Sequence, residues 1–194
     1  MNEWLRAAGA ALLALALSGC AGLLISGAAT GISVVHDRRT TGTLVDDQTT
    51  EFKLFDRLNA QLPPGNQISV NCYNGVVLLT GEVISEPVRQ DAGRIAYQLN
   101  EPPVRLVHNE LVVAPPSSLS EQSSDALLGT KVKAALFQIN QIPDFDPTRV
   151  MVVTARGVVY LMGLVRPVEA DAATDVVSQV SGVRHVVTLF EYIN

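Results

Sequence analysis

The stretch "GVVLLTGEV" at 75–83 returns eighty-two residues later as "GVVYLMGLV" at 157–165, and this duplication constrains the fold more than any other feature of the chain. The repeat extends over residues 47–114 and 125–193. Asp47, Thr50, Leu54 and Leu58 fall on Asp125, Leu128, Val132 and Leu136 with one constant offset. Positions three or four apart share one face of a helix. A strand follows in each copy, "QISVNCY" or "RVMVVTA", and then the turn "NG" (74–75) or "RG" (156–157). Asn-Gly is the strongest short hairpin signal, because both central residues of that turn need positive φ. The returning strand closes at Gly81 or Gly163 and leads into an alanine-containing helix, "EPVRQDAGRIAYQL" or "PVEADAATDVVSQV", with Pro87 or Pro167 in its first turn. Each copy ends on an alternating apolar strand, "VRLVHNELVV" or "VRHVVTLFEYI".

The predicted fold is therefore α+β: two tandem αββαβ domains, each a three-stranded mixed sheet covered on one face by two helices. The domains span 47–114 and 125–194. The proline- and serine-rich "APPSSLSEQSS" (114–124) supplies a linker over 115–124. Gly75 and Gly157 serve the hairpin turns. Gly81 and Gly163 either let a helix approach the sheet backbone or turn the chain sharply.

Before the repeats comes an address. Arg6 precedes "AAGAALLALAL", eleven uncharged residues of signal-peptide length, and then Leu17, Ser18, Gly19 and Cys20 form a bacterial lipobox. Small residues are needed there because a peptidase cuts before the cysteine once its thiol carries a diacylglyceryl group. On this reading residues 1–19 are a signal peptide, and 20–46 are the acylated N-terminus and a linker. The covalent diacylglycerol and N-acyl chain on Cys20 are then the only non-protein groups, with no cofactor. By the bacterial sorting rule, Ala21 after the cysteine directs the protein to the periplasmic side of the outer membrane. The competing reading is a transmembrane anchor, since no charge occurs from Ala7 to Val35. The Gly-, Ser- and Thr-rich "AGLLISGAATGISVV" makes a poor span.

Charge and motif content exclude several functions. A net charge of −5, with no dense lysine or arginine run, argues against a nucleic-acid binder. His36, His108 and His185 have no ligand-like spacing, and Asp144 and Asp146 in "IPDFDP" read as loop and helix-end caps, so no metal site is expected. Cys72 reads as a buried small hydrophobe. No nucleophile elbow, phosphate loop or paired acid and base is present, so no catalytic residue is assigned and no enzymatic activity is expected.

The first helix of the second domain offers a surface instead. Leu128, Val132, Ala135, Leu136 and Ile139 make a core stripe, which leaves Leu127, Ala134 and Phe137 pointing elsewhere beside Lys131 and Lys133. Lysines attract anionic headgroups while exposed apolar side chains dip into the acyl boundary. The alternative is that Leu127 and Phe137 pack against the first domain or the linker. In the first domain, "TTEFKLFDRLNAQL" carries Glu51 and Asp56 at exposed or boundary positions, which disfavours anionic surfaces and implies that the copies have diverged.

The element order, with "GVVYLMGLV" and "VSGVRHVVTLFEYI", resembles the BON domain of bacterial envelope proteins. Two such domains behind a lipobox, with "DRRTTGTLVDDQTTE" (37–51), resemble the dual-BON lipoproteins of the proteobacterial outer membrane, a division- and outer-membrane-stress-associated lipid-binding family. The resemblance implies phospholipid binding by the second domain through Leu127, Lys131, Val132, Lys133, Ala134 and Phe137. Lys131 and Val132 match the family's "TKV", whereas Leu127 replaces an aromatic, which implies shallower insertion. The implied partners are anionic phospholipids (phosphatidylglycerol, cardiolipin), and the implied role is support of outer-membrane integrity. A second reading is a protein-interaction or chaperone-like accessory to outer-membrane protein assembly, working through sheet edges or the same helix face.

Overall fold

Two hairpins built on the same turn organise the molecule. A computed structural model describes residues 37–194; the expected signal peptide, the expected lipidation at Cys20 and His36 lie outside the described residues. Helix α1 (Thr41–Gln61) is N-capped by the Thr40 hydroxyl, which accepts from the Thr43 N–H, and it buries Asp47, Thr50, Leu54 and Leu58. Pro63 and Pro64 follow directly and prevent its continuation. Strands β1 (Gln67–Tyr73) and β2 (Val76–Val83) pair antiparallel from Tyr73↔Val76 to Gln67↔Glu82. Helix α2 (Glu86–Tyr97) then crosses over to β3 (Leu106–Asn109) and β4 (Val112–Val113), both parallel to β2. The expected single closing strand is thus interrupted at Glu110 and Leu111. Leu111 is buried in the core between helices and sheet.

The second domain repeats this order: α3 (Leu119–Leu136), β5 (Met151–Ala155), β6 (Val158–Val165), α4 (Pro167–Ser178) and β7 (His185–Tyr192), with sheet order β5-β6-β7. In both turns the two central residues have positive φ: 52° and 75° at Asn74-Gly75, 53° and 74° at Arg156-Gly157. This is the hairpin turn whose twist matches the strands. One acceptor closes each turn. The Asp47 carboxylate takes the N–H groups of Asn74 and Gly75, both at 2.7 Å, and Asp125 takes those of Arg156 and Gly157 at 2.7 and 2.9 Å. The helix-facing aspartate at the start of each repeat therefore fastens helix to hairpin.

Two expectations need correction. Residues 119–124, read as linker, form the first turns of α3. Ser118 and Glu121 cap them reciprocally, side chain to backbone in both directions. Gly81 and Gly163 admit neither a helix nor a sharp turn; they admit the backbone leading into the neighbouring strand. A Cβ on Gly81 would lie 2.0 Å from the Gln67 carbonyl oxygen, and one on Gly163 2.6 Å from that of Arg149. Gly81 also has φ +112°.

The helices cover one face of each sheet, and the opposite faces cover each other. Tyr73, Val76 and Leu78 of the first sheet join Tyr160 and Met162 of the second in a hydrophobic cluster of their own. Residues Asp37–Asn194 form one compact unit that contains the hydrophobic cores of both domains. A polar clasp at its edge comes from "DRR" (37–39). Arg38 pairs with buried Glu169 on α4 through two bonds, at 2.7 and 2.9 Å, and Arg39 pairs with Asp47 at 2.9 Å while lying 3.8 Å from the Tyr73 ring centroid. Glu169 also accepts from the N–H and guanidinium of Arg166. Burial alone pushes its carboxyl up, but these donors outweigh it and bring it down to about 2.

Candidate functional site

The docking of the domains decides where α3 can point. Because they meet through their sheets, the outer face of α3 is left open. Leu128, Val132, Leu136 and Ile139 are buried, as the periodicity predicts. Leu127 is 64% exposed and Phe137 67% exposed, so neither packs against the first domain or the residues between domains. Lys131, Lys133 and Ala134 are exposed as well. At 100° per residue, Leu127, Ala134, Thr130 and Phe137 form a ridge with Lys131 on one flank and Lys133 on the other. Val132 does not belong with them: it is 0% exposed and belongs to the core, so its contribution is to seat the helix.

The ridge is longer than the sequence suggested. The capped first turns add Leu119, 81% exposed, on the same side as Phe137. The nearest carboxylates on α3 already have partners. Glu121 accepts from the N–H and hydroxyl of Ser118, which hold its carboxyl below the usual range, and Asp125 closes the hairpin turn. At the C-terminal end, Lys133 and Phe137 border a cleft of about 310 Å3 that reaches Tyr73, Met151 and the Arg39 clasp.

Helix α1 offers a different surface. Phe52 is 70% exposed, with Val45 and Phe55 also open, an apolar face that the sequence reading did not single out. Glu51 is half-buried and accepts the Cys72 N–H at 2.7 Å, and burial raises its carboxyl. Asp56 is exposed beside this face. Lys53 is turned away to the Glu101 carbonyl at 2.7 Å. Cys72 itself is buried and donates to Asp47 at 3.3 Å; burial, with Asp47 beside it, pushes its thiol well up. Asp146 caps the short turn at Pro147–Arg149, the loop role expected of it.

The BON domain model matches residues 46–115 and 124–194, the two repeats. The chain belongs to the BON-domain family. It is 37% identical over 180 residues to outer membrane lipoprotein DolP of Haemophilus influenzae, covering 92% of this chain and 91% of that protein. It is 31% identical over 159 residues to the 21 kDa hemolysin of Actinobacillus pleuropneumoniae, covering 81% and 79%. An uncharacterized protein of Anaplasma centrale is 32% identical over 125 residues, 63% of this chain and 80% of that one.

Proposed function

We propose that this BON-domain protein is a non-enzymatic outer-membrane lipoprotein, anchored through acyl chains on Cys20 and facing the periplasm, whose second domain binds anionic phospholipid and supports envelope integrity. The observation that carries the reading is the α3 ridge: Leu119, Leu127 and Phe137 open to solvent with Lys131 and Lys133 on its flanks. Burial of Leu127 and Phe137 in the acyl boundary contributes a few kcal/mol at most, and each lysine adds about 1 kcal/mol at an anionic surface. Such a contact is weak in solution. It suffices for a protein already held at the bilayer by lipid chains, because the second contact is intramolecular. The similarity to an outer membrane lipoprotein over nearly the whole chain supports the address.

Co-sedimentation of residues 37–194 with phosphatidylglycerol or phosphatidylcholine vesicles tests the binding. Selective recovery with phosphatidylglycerol, lost in Lys131→Glu/Phe137→Ser, is expected; equal recovery of wild type and variant contradicts it. For the anchor, Cys20→Ser in cells is expected to leave the outer-membrane fraction, and normal fractionation of that variant contradicts lipidation. The second reading, an accessory role in outer-membrane protein assembly, is favoured by the Val45, Phe52 and Phe55 face of α1. It predicts partner binding that persists in Lys131→Glu and ignores lipid charge.

A further inference from the structure

The two domains carry the same two cations at equivalent positions and use them differently. Lys53 and Lys131 match on α1 and α3, and Arg105 and Arg184 each directly precede the closing strand. In the first domain both are engaged. Lys53 donates to the Glu101 carbonyl, while Arg105 donates to the Asn74 carbonyl at 2.8 Å and pairs with Glu191 at 2.9 Å. In the second domain, Lys131 has no partner among the described residues, and Arg184 makes only a long bond, 3.4 Å to the Arg156 carbonyl.

Lys131 and Arg184 line one cleft of about 450 Å3 between α3, the β5–β6 turn and the loop between α4 and β7. Ser124, Ser181 and Arg156 also line it, and Leu127 of the ridge borders it. Gly157 permits the arrangement, since a Cβ there would lie 2.6 Å from Cδ of Arg184. The two carboxylates in the cleft, Glu121 and Asp125, accept from Ser118 and from the turn N–H groups, and Arg156 pairs with Glu82 at 3.2 Å. With Arg156 offset by Glu82 and both carboxylates engaged, the free donors in the cleft are those of Lys131 and Arg184.

We infer that this cleft is an oxyanion site that holds the phosphate of a phospholipid headgroup between Lys131 and Arg184. This rests on the membrane reading of α3 and adds the place where the headgroup sits. A guanidinium presents a planar fork that matches two phosphate oxygens, and the lysine adds a point charge. Leu127 at the border then lies on the acyl side of the bound group, which joins the headgroup site to the ridge.

The test uses residues 37–194 with Arg184→Gln, and with Arg94→Gln, which loses the same charge from an exposed site on α2, as control. Phosphatidylglycerol vesicle affinity is expected to fall about fivefold in Arg184→Gln, the equivalent of roughly 1 kcal/mol, and to hold in Arg94→Gln. Inorganic phosphate is expected to shift the amide resonances of Gly157 and Gly182 in wild type and not in Arg184→Gln. If wild type ignores the vesicles yet phosphate still shifts these amides through Arg184, the site stands with a soluble phosphate as its ligand and the membrane reading fails. The proposal is overturned if Arg184→Gln binds both probes as wild type does, or if wild type binds neither.

Discussion

Helices α1 and α3 begin from the same repeat and bury three equivalent positions, Thr50, Leu54 and Leu58 against Leu128, Val132 and Leu136, yet their outer faces differ in what surrounds the apolar side chains. On α3 the ridge is flanked by lysines with no carboxylate on it. On α1, Phe52 and Phe55 stand beside Asp56, and Lys53 is tied to the Glu101 carbonyl. Core positions are constrained by packing in both copies, whereas outer positions are free to diverge once a second copy maintains the fold. The two copies thus share a packed core and differ in the outer face that their first helix presents.

The largest expected effect sets the two hairpin aspartates against each other. Asp47 holds two turn N–H groups, the Arg39 guanidinium and the Cys72 thiol; Asp125 holds only its turn. Asp47→Ala is expected to cost roughly 2–4 kcal/mol, because it removes the acceptor for the turn and for Cys72 and one of the two carboxylates on Arg39, which keeps Asp37 at 2.8 Å, and Asp125→Ala about 1–3 kcal/mol. Urea unfolding of both variants measures this; equal losses would remove the claimed asymmetry. Next come the glycines that face strand backbone. Gly81→Ala combines a left-handed φ with a closer carbonyl and is expected to cost roughly 2–4 kcal/mol, more than Gly163→Ala, again by urea unfolding.

The Glu169 clasp gives a pH signature. Its folded carboxyl lies near 2 against an ordinary 4.5, so the unfolded chain takes up the proton first as pH falls. The stability it contributes is fully present above about pH 4.5 and is lost on the way down to about 2. Thermal melting between pH 5 and 2 is expected to be steeper for wild type than for Glu169→Gln, whose midpoint at pH 7 is already lowered. Parallel curves would show that the clasp does not hold the domains. The smallest effect on stability belongs to the surface: Phe137→Ser is expected to change unfolding free energy by less than about 0.5 kcal/mol while weakening vesicle binding. A large stability loss would mean that Phe137 serves packing.

The repeat, the element order and the core stripe of α3 were legible because period and turn chemistry are local. Leu54 and Leu58, Asn74-Gly75, and Leu128 through Ile139 all lie where the pattern placed them. The start of α3 was also written in the sequence: Ser118 and Glu121 have capping-box spacing, but the prolines at 115 and 116 and the serine-rich composition concealed it. Burial of both sheet faces had a trace as well. Residues 76–80 are all buried, and "VVLLT" is continuously apolar up to Thr80, whereas a strand with one wet face alternates. The clasp was not legible, because Arg38 and Glu169 are 131 residues apart and nothing local pairs them. Nor was the difference between Lys53 and Lys131. It depends on whether a carbonyl from another element happens to lie within reach.

The most direct measurement of the central claim compares matched double variants of residues 37–194 on phosphatidylglycerol vesicles: Lys131→Glu/Phe137→Ser on α3 against Lys53→Glu/Phe52→Ser on α1. The account predicts that the α3 pair abolishes selective binding and the α1 pair leaves it intact. Equal loss in both, or retention in the α3 pair, would contradict the assignment of membrane reading to the second domain.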